Sequence, residues 1–263
     1  MKKYLVIGNP IAHSLSPKLH NYWIKNNNIN AIYKKKELNE NEIESLILEV
    51  KKKNLNGINV TVPFKKAVIP FLDQLSFEAK STQSVNTIYL DNEKVIGHNT
   101  DISGFELGIQ NSKFNVVGKK IFILGAGGVV PSIIFALNKM RVLDITVSNR
   151  TKDKAKNLKS FFKNIKVADW GKVPEFDMII NATSLGLNKD DQINLDLSKI
   201  GKNKFFYDVI YNPKKTNFLK TGKKLGNKTE NGKLMFIYQA FTAFKVWHGV
   251  EPKINNEVIK LLD

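Results

Sequence analysis

Apolar positions along the chain recur in two periods. Tyr4-Leu5-Val6-Ile7 is a short unbroken apolar run that meets Gly8-Asn9-Pro10, so it reads as a buried strand closed by a turn. Leu19, Tyr22 and Trp23 then recur at i, i+3 and i+4, which predicts a helix over Ser16–Asn26. The alternation continues with a strand over Ala31–Tyr33, a helix carrying Ile43, Leu46, Ile47 and Val50 on one face, and a strand over Gly57–Val60. Short helices are expected around Lys65–Leu72 and Ser76–Thr82. A hairpin follows, Thr87–Leu90 with Lys94–Gly97, joined at Asp91-Asn92.

Beyond Asp101 the pattern predicts a helix over Ser103–Gln110, a strand over Ile121–Leu124, a turn over Gly125–Gly128 and a helix over Val129–Met140. A strand (Asp144–Ser148), a helix (Lys152–Phe162) and strands at Met178–Asn181 and Phe205–Asp208 extend it. Leu234–Trp247 is apolar enough for a packed helix, and Val258–Leu262 for another. Strands alternating with helices imply an α/β fold built on parallel sheets. The longest apolar stretch, Ile121 to Leu137, is interrupted by Gly125, Gly127, Gly128, Pro131 and Ser132 and falls short of the ~20 residues of a membrane helix. Lys2-Lys3 precedes too short an apolar run for a secretory leader. A cytoplasmic protein without a membrane partner is expected.

The chain of 263 residues has no cysteine, which excludes disulfides, thiolate metal sites and a thiol nucleophile. His13, His20, His98 and His248 show no ligand spacing, so no metal is expected, and His13 reads as a loop-packing residue. The net charge of +17 would suit a nucleic-acid partner. Of the 41 basic residues, however, only Arg141 and Arg150 are arginines, and arginine is the side chain that reads bases bidentately. The aromatics also fall at core-like positions. A basic nucleic-acid-binding protein is therefore the disfavoured alternative. Residues 102–232 hold most of the charge excess, +12, against +4 in 1–101 and +1 in 233–263.

Gly125-Ala126-Gly127-Gly128 lies directly after an apolar strand and before an apolar helix, where glycines let backbone approach a pyrophosphate at a helix N-terminus. A plain strand–helix turn is the alternative. The end of the next strand distinguishes the cofactor. Asp or Glu there would bind a ribose 2′-hydroxyl, whereas this chain offers Ser148-Asn149-Arg150-Thr151 and, one helical turn on, Lys154. Arg150 and Lys154 would attract a 2′-phosphate, so the reading is NADP.

In the first hundred residues, polar groups follow apolar segments at three further places: Asn59-Val60-Thr61-Val62-Pro63-Phe64-Lys65, Val85-Asn86-Thr87 and His98-Asn99-Thr100-Asp101. A lysine, a carboxylate, amides and hydroxyls at strand ends suit a polyhydroxylated, anionic small molecule. Ser14 and Ser16 add two hydroxyls to the first strand-to-helix loop. Ser16 before Pro17 fits a helix N-cap equally well, and Thr61 is open to the same structural reading.

Taken in order, GNPIAHSLSP, NVTVPFK, VNT, NTD, GAGG, NRT, INATSLG, YDVIY and the helix around Met235–Gln239 resemble shikimate dehydrogenase over essentially the whole chain. The resemblance implies NADPH-dependent reduction of 3-dehydroshikimate to shikimate, a step of aromatic amino acid biosynthesis. It implies an α/β substrate-binding and catalytic domain over 1–101, a Rossmann-like NADP-binding domain over 102–232, and C-terminal helices over 233–263 that return to the substrate domain. It makes Lys65 and Asp101 the catalytic pair, gives Ser14 and Ser16 the substrate carboxylate, and places Thr61, Asn86, Tyr211 and Gln239 on the ring or its hydroxyls. Gly125, Ala126, Gly127, Gly128 and Val129, with Asn149, Arg150, Thr151 and Lys154, would bind the cofactor. The family usually carries Arg where Lys154 stands. A quinate/shikimate dehydrogenase of broader specificity shares the scaffold and remains the near alternative; a cofactor-binding sensor without chemistry is disfavoured by the presence of both Lys65 and Asp101. The partners expected are small molecules, and the protein is expected to be a monomer or homodimer.

Overall fold

The computed structural model describes residues 1–263, which divide into two compact units: 1–104 with 237–263, and 105–236. The first begins with β1 (Lys2–Gly8), α1 (Ser16–Asn26), β2 (Ala31–Glu37), α2 (Ile43–Lys51) and β3 (Gly57–Val60). Both crossovers are helical, so β2, β1 and β3 pair in parallel. The chain continues through β4 (Gln74–Leu75), α3 (Phe77–Thr82), β5 (Thr87–Asp91) and β6 (Lys94–His98), giving the sheet order β2-β1-β3-β5-β6-β4. β5 is antiparallel to both β3 and β6. Ile7, Ile43, Ile47, Val50, Ile58 and Ile88 lie in the core between this sheet and its helices.

The sequence reading departs from this unit at several places, and the two-residue β4 is an element it does not announce. β2 runs on through Lys34–Glu37, because an edge strand leaves those side chains in water. The segment Lys65–Leu72 forms successive turns with one 3₁₀ turn at Ile69–Phe71 rather than a helix. Its first carbonyl, Lys65 O, accepts from Val85 N at 2.8 Å and is lost to helical bonding, and Pro70 has no N–H to give. The hairpin turns at Asn92-Glu93, both with positive φ, one residue later than expected.

The second unit contains β7 (Lys120–Leu124), α5 (Val130–Lys139), β8 (Asp144–Ser148), α6 (Lys152–Leu158), β9 (Ile165–Ala168), β10 (Met178–Asn181), β11 (Phe205–Asp208), α7 (Asn217–Lys224) and β12 (Lys228–Asn231). All six strands are parallel, in the order β12-β11-β10-β7-β8-β9. This is the doubly wound arrangement, and the order reverses between β7 and β10. α6 ends at Leu158 instead of reaching Phe162, and β9, α7 and β12 are elements the apolar pattern does not announce. β12, Lys-Thr-Glu-Asn, is a polar edge strand, and α7 buries little besides Phe218, Leu219 and Gly222.

Two helices carry the chain from one unit to the other: α4 (Asp101–Asn111) and α8 (Lys233–His248); α9 (Asn256–Leu261) closes it. The end of α8 belongs to the core of the first unit. Trp247 Nε1 donates to Ile88 O at 3.2 Å, and its indole occupies the space that a Cβ on Gly57 would fill. His20 lies in the same aromatic cluster, stacked on Tyr33 at 4.2 Å with a 3° angle between the rings. Neither His20 nitrogen has a partner, and burial drives its pKa down to about 3, with His248 adding repulsion.

Candidate active site

The loops after β1 and β3 meet. Asn9 N donates to Val62 O at 3.1 Å, and a Cβ on Gly8 would lie 2.6 Å from the Thr61 methyl, so only glycine lets the two loops close. The first loop presents Ser14 and Ser16. Leu15 takes the cap position of α1 with no side-chain bond, which overturns the N-cap reading of Ser16; Ser16 sits buried in the first turn, and its N–H donates to Ser14 Oγ at 3.3 Å. His13 is exposed rather than packed in its loop. Thr61 opens the turn that leads to Lys65, its carbonyl accepting from Phe64 N at 3.0 Å.

Lys65 Nζ lies 2.5 Å from Asp101 Oδ2, with the two side chains 12% and 9% exposed. Such partial burial shields the pair from water and salt, so its attraction is screened less than that of a surface ion pair. Asp101 is the first residue of α4, where the helix dipole favours a negative charge. Asn86, directly before β5, donates to the other Asp101 oxygen, Oδ1, at 3.0 Å and to Thr100 Oγ1 at 2.9 Å, while its own Oδ1 accepts from Thr100 N at 2.8 Å. Behind it, Thr87 donates to Asn86 Oδ1, Asn59 donates to Asn86 O and to Thr87 Oγ1, and the Tyr33 hydroxyl donates to Asn59 Oδ1 at 2.7 Å. Every member from Tyr33 to Asp101 is buried. Lys65, Asn86 and Asp101 are thus brought together on a fully paired polar network. Tyr33 is a member that sequence reasoning did not single out; Asn59, Thr87 and Thr100, grouped from the sequence with the polar groups suited to a ligand, are instead buried and bonded within this network.

Gln239 lies on α8 in the same unit. Thr242, nearly one turn further along that helix, accepts from Ser103 Oγ at 2.9 Å, and Ser103 is two residues from Asp101. Tyr211 belongs to the second unit, where it stacks on Phe236 with centroids 4.5 Å apart.

In the second unit the turn after β7 stands where the strand order reverses. Gly125 has φ +110°, and a Cβ there would lie 2.7 Å from Ala182 O, so glycine is required twice over. Gly127 faces open space, leaving its backbone approachable. Val129 takes the cap position of α5 without a side-chain bond, and Pro131 follows within the first turn. Gly125 N donates to Ser148 O at 2.8 Å, which joins this turn to the end of β8. There Asn149 Nδ2 donates to Thr151 O at 2.8 Å, and Thr151 takes the cap position of α6 without a side-chain bond. Lys152 pairs with Asp169, whereas Arg150 and Lys154 are exposed with no carboxylate in ion-pair range. A backbone cradle at a helix N-terminus beside two unpaired cations fits a dinucleotide carrying an extra phosphate.

At the end of β11, Asp208 is fully buried and accepts three hydrogen bonds, and burial pushes its pKa up to about 6. No helix is long and apolar enough to cross a membrane.

Comparison with known proteins addresses both units. Residues 6–88 match the family model described as shikimate dehydrogenase substrate binding domain, and residues 108–209 match that of shikimate / quinate 5-dehydrogenase. The chain is 58% identical over 262 residues to the shikimate dehydrogenase (NADP(+)) of Pelagibacter ubique, covering 100% of this chain and 99% of that one. It is 37% identical to the enzyme of the same name from Carboxydothermus hydrogenoformans, over 95% and 92% of the two chains. Among solved structures, a shikimate dehydrogenase in complex with NADP+ superposes with a TM-score of 0.92 at 34% identity, covering 100% of this chain and 94% of that one. The shikimate 5-dehydrogenase of Thermus thermophilus in complex with NADP(H) and shikimate gives 0.90 at 28% identity, over 100% and 96%.

Proposed function

From the premise that the chain belongs to the shikimate dehydrogenase family, we propose that Lys65 and Asp101 are its acid–base pair in the reversible, NADP-dependent interconversion of 3-dehydroshikimate and shikimate. The observation that carries the assignment is the 2.5 Å Lys65–Asp101 contact on the Asn86 network.

NADPH, when bound, supplies a hydride to the ring carbonyl. The oxygen of that carbonyl gains negative charge as the new C–H bond forms, and a positioned ammonium both stabilises the charge and delivers the proton. Lys65 does this and is left neutral; Asp101 orients it and helps restore its proton. Oxidation of shikimate runs the other way, with Lys65 taking the hydroxyl proton.

Ser14 and Ser16 hold the substrate carboxylate in this reading, and Thr61, Asn86, Tyr211 and Gln239 contact the ring or its hydroxyls. Gly125, Ala126, Gly127, Gly128 and Val129 receive the pyrophosphate of NADP. Asn149, Arg150, Thr151 and Lys154 receive its 2′-phosphate end, with Arg150 the planar fork and Lys154 a point charge. Residues 1–101 form the substrate-binding and catalytic domain, 102–232 the cofactor domain, and the helices of 233–263 return to the first. A cytoplasmic location and a monomer or homodimer are part of the same proposal.

The deciding experiment is a spectrophotometric assay of shikimate-dependent NADP+ reduction, with quinate and NAD+ in parallel. Shikimate with NADP+ should give the highest kcat/KM. Equal turnover of quinate would turn the reading to the broader quinate/shikimate enzyme.

A further inference from the structure

Asp208 is a buried carboxylate for which the chemistry above has no use. It ends β11, is fully shielded from solvent and forms no ion pair. Its three partners are neutral donors: Asn181 Nδ2 at 3.1 Å and Ile210 N at 3.0 Å on Oδ1, and the Thr216 hydroxyl at 2.6 Å on Oδ2. An ionised carboxylate only accepts, so the set matches it donor for donor. A buried charge without a counter-ion is costly, and neutral groups could pin the same strands more cheaply.

Each partner leads to a ligand-facing segment. The Asn181 amide sets the turn after β10: its Oδ1 accepts from Thr183 N at 3.1 Å and Thr183 Oγ1 at 2.7 Å, and its Nδ2 donates to Leu185 O at 2.9 Å. The Ala182 carbonyl of that turn is the atom lying closest to where Gly125 would carry a Cβ. Ile210 immediately precedes Tyr211, and Thr216 caps α7, accepting from Leu219 N at 3.3 Å. In a doubly wound sheet the two nucleotide halves fall on opposite sides of the point where strand order reverses. Arg150 and Lys154 lie on the β8 side, which leaves the β10–β11 side for the other half.

We propose that Asp208 is a positioning residue: it locks the turn after β10 against the glycine turn and fixes the turn bearing Tyr211, so that the nicotinamide half of NADP meets a preset surface. The inference rests on the NADP reading given above.

Calorimetric titration of the full-length protein with NADP+ and with adenosine 2′,5′-bisphosphate, which lacks the nicotinamide half, separates this from a general structural role. Asp208→Asn keeps the shape but presents an amide to Thr216. It should weaken NADP+ about tenfold and leave the bisphosphate within about twofold of wild type, the loss expected for one charge-assisted hydrogen bond. The KM for shikimate should rise with it. Thr216→Val removes one donor only and should give the same split at smaller size; it decides the matter if Asp208→Asn does not fold. Equal weakening of both ligands, or no change in either by a folded variant, overturns the proposal. A wild-type protein that binds neither ligand overturns the NADP reading itself.

Discussion

The Asn86 amide reaches Asp101 at 3.0 Å on the carboxylate oxygen that Lys65 does not use. One carboxylate is therefore held from both sides, by the ammonium on Oδ2 and by the amide on Oδ1, so the proposed role of the amide runs through the carboxylate that orients Lys65. Groups that act as a unit give non-additive losses. Lys65→Met should lower kcat by roughly 10²–10⁴-fold, the range for a positioned acid–base group, with a much smaller change in shikimate KM. Asn86→Ala should cost about tenfold in kcat in the wild-type background and close to nothing in Lys65→Met. Steady-state kinetics on the four proteins test this; near-normal turnover in Lys65→Met would remove Lys65 from its role.

Cofactor choice should follow Arg150 more than Lys154. Arg150→Ala should reduce the ratio of kcat/KM for NADP+ over NAD+ by about 10- to 100-fold, the value of a lost charge-assisted pair. Lys154→Ala should reduce it by only a few-fold, because an exposed ammonium stays well hydrated. Equal use of both cofactors by the wild type would refute both roles.

Two glycines in one turn should respond differently to the same substitution. At Gly125 an added methyl meets Ala182 O at 2.7 Å and φ is +110°, so Gly125→Ala should lower stability by about 1–3 kcal/mol, seen as a lower melting temperature. At Gly127 nothing lies within 4 Å, so Gly127→Ala should melt like wild type yet bind NADP+ more weakly, since the methyl intrudes on the pyrophosphate. Equal melting temperatures for the two variants would contradict the geometry.

Acid should destabilise the protein through His20. Its pKa is about 3 when folded against 6.5 for the free side chain, so the unfolded chain takes up the proton first as pH falls. Stability that is complete above about 6.5 is lost progressively toward pH 3, and His248, lowered to about 4, acts in the same sense. Asp208 opposes them. Its pKa is raised to about 6 from 3.8, so the cost of burying its charge is full above pH 6 and fades as pH falls through that window. The histidines have the larger combined displacement and should set the sign. Melting temperature should drop between pH 7 and 4.5, and His20→Phe, which keeps a ring against Tyr33, should flatten much of that slope. A slope unchanged in His20→Phe would locate the acid sensitivity elsewhere.

What could be read in advance followed apolar periodicity. Ser16–Asn26, Gly57–Val60, Asp144–Ser148, Met178–Asn181 and Phe205–Asp208 are bounded by turns and buried on at least one face, so pattern and structure coincide there. β12 and the outer half of β2 escaped because edge strands spend polar residues on solvent, and their pairing is decided by the neighbouring strand. The site divided along the same line. Lys65, Asp101 and the glycine turn stand in motifs, whereas the contributions of Tyr33 and Asn59 arise only because β2 and β3 flank β1 on its two sides, which brings residues 26 positions apart to 2.7 Å. Short-range patterns do not encode such a bond.

Trp247 gives the first unit a late keystone. Its indole completes a core whose other walls are β1, β3 and β5, yet the whole of the second unit is translated between those strands and this residue. At roughly 5–20 residues per second, the gap from Gly104 to Trp247 amounts to about 7–30 s of synthesis. During that interval the groove over Gly57 is an unfilled apolar surface on the nascent chain, while the contiguous second unit has all it needs to close. The unit that holds Lys65 and Asp101 should therefore be the one more exposed to chaperones and to aggregation during biogenesis.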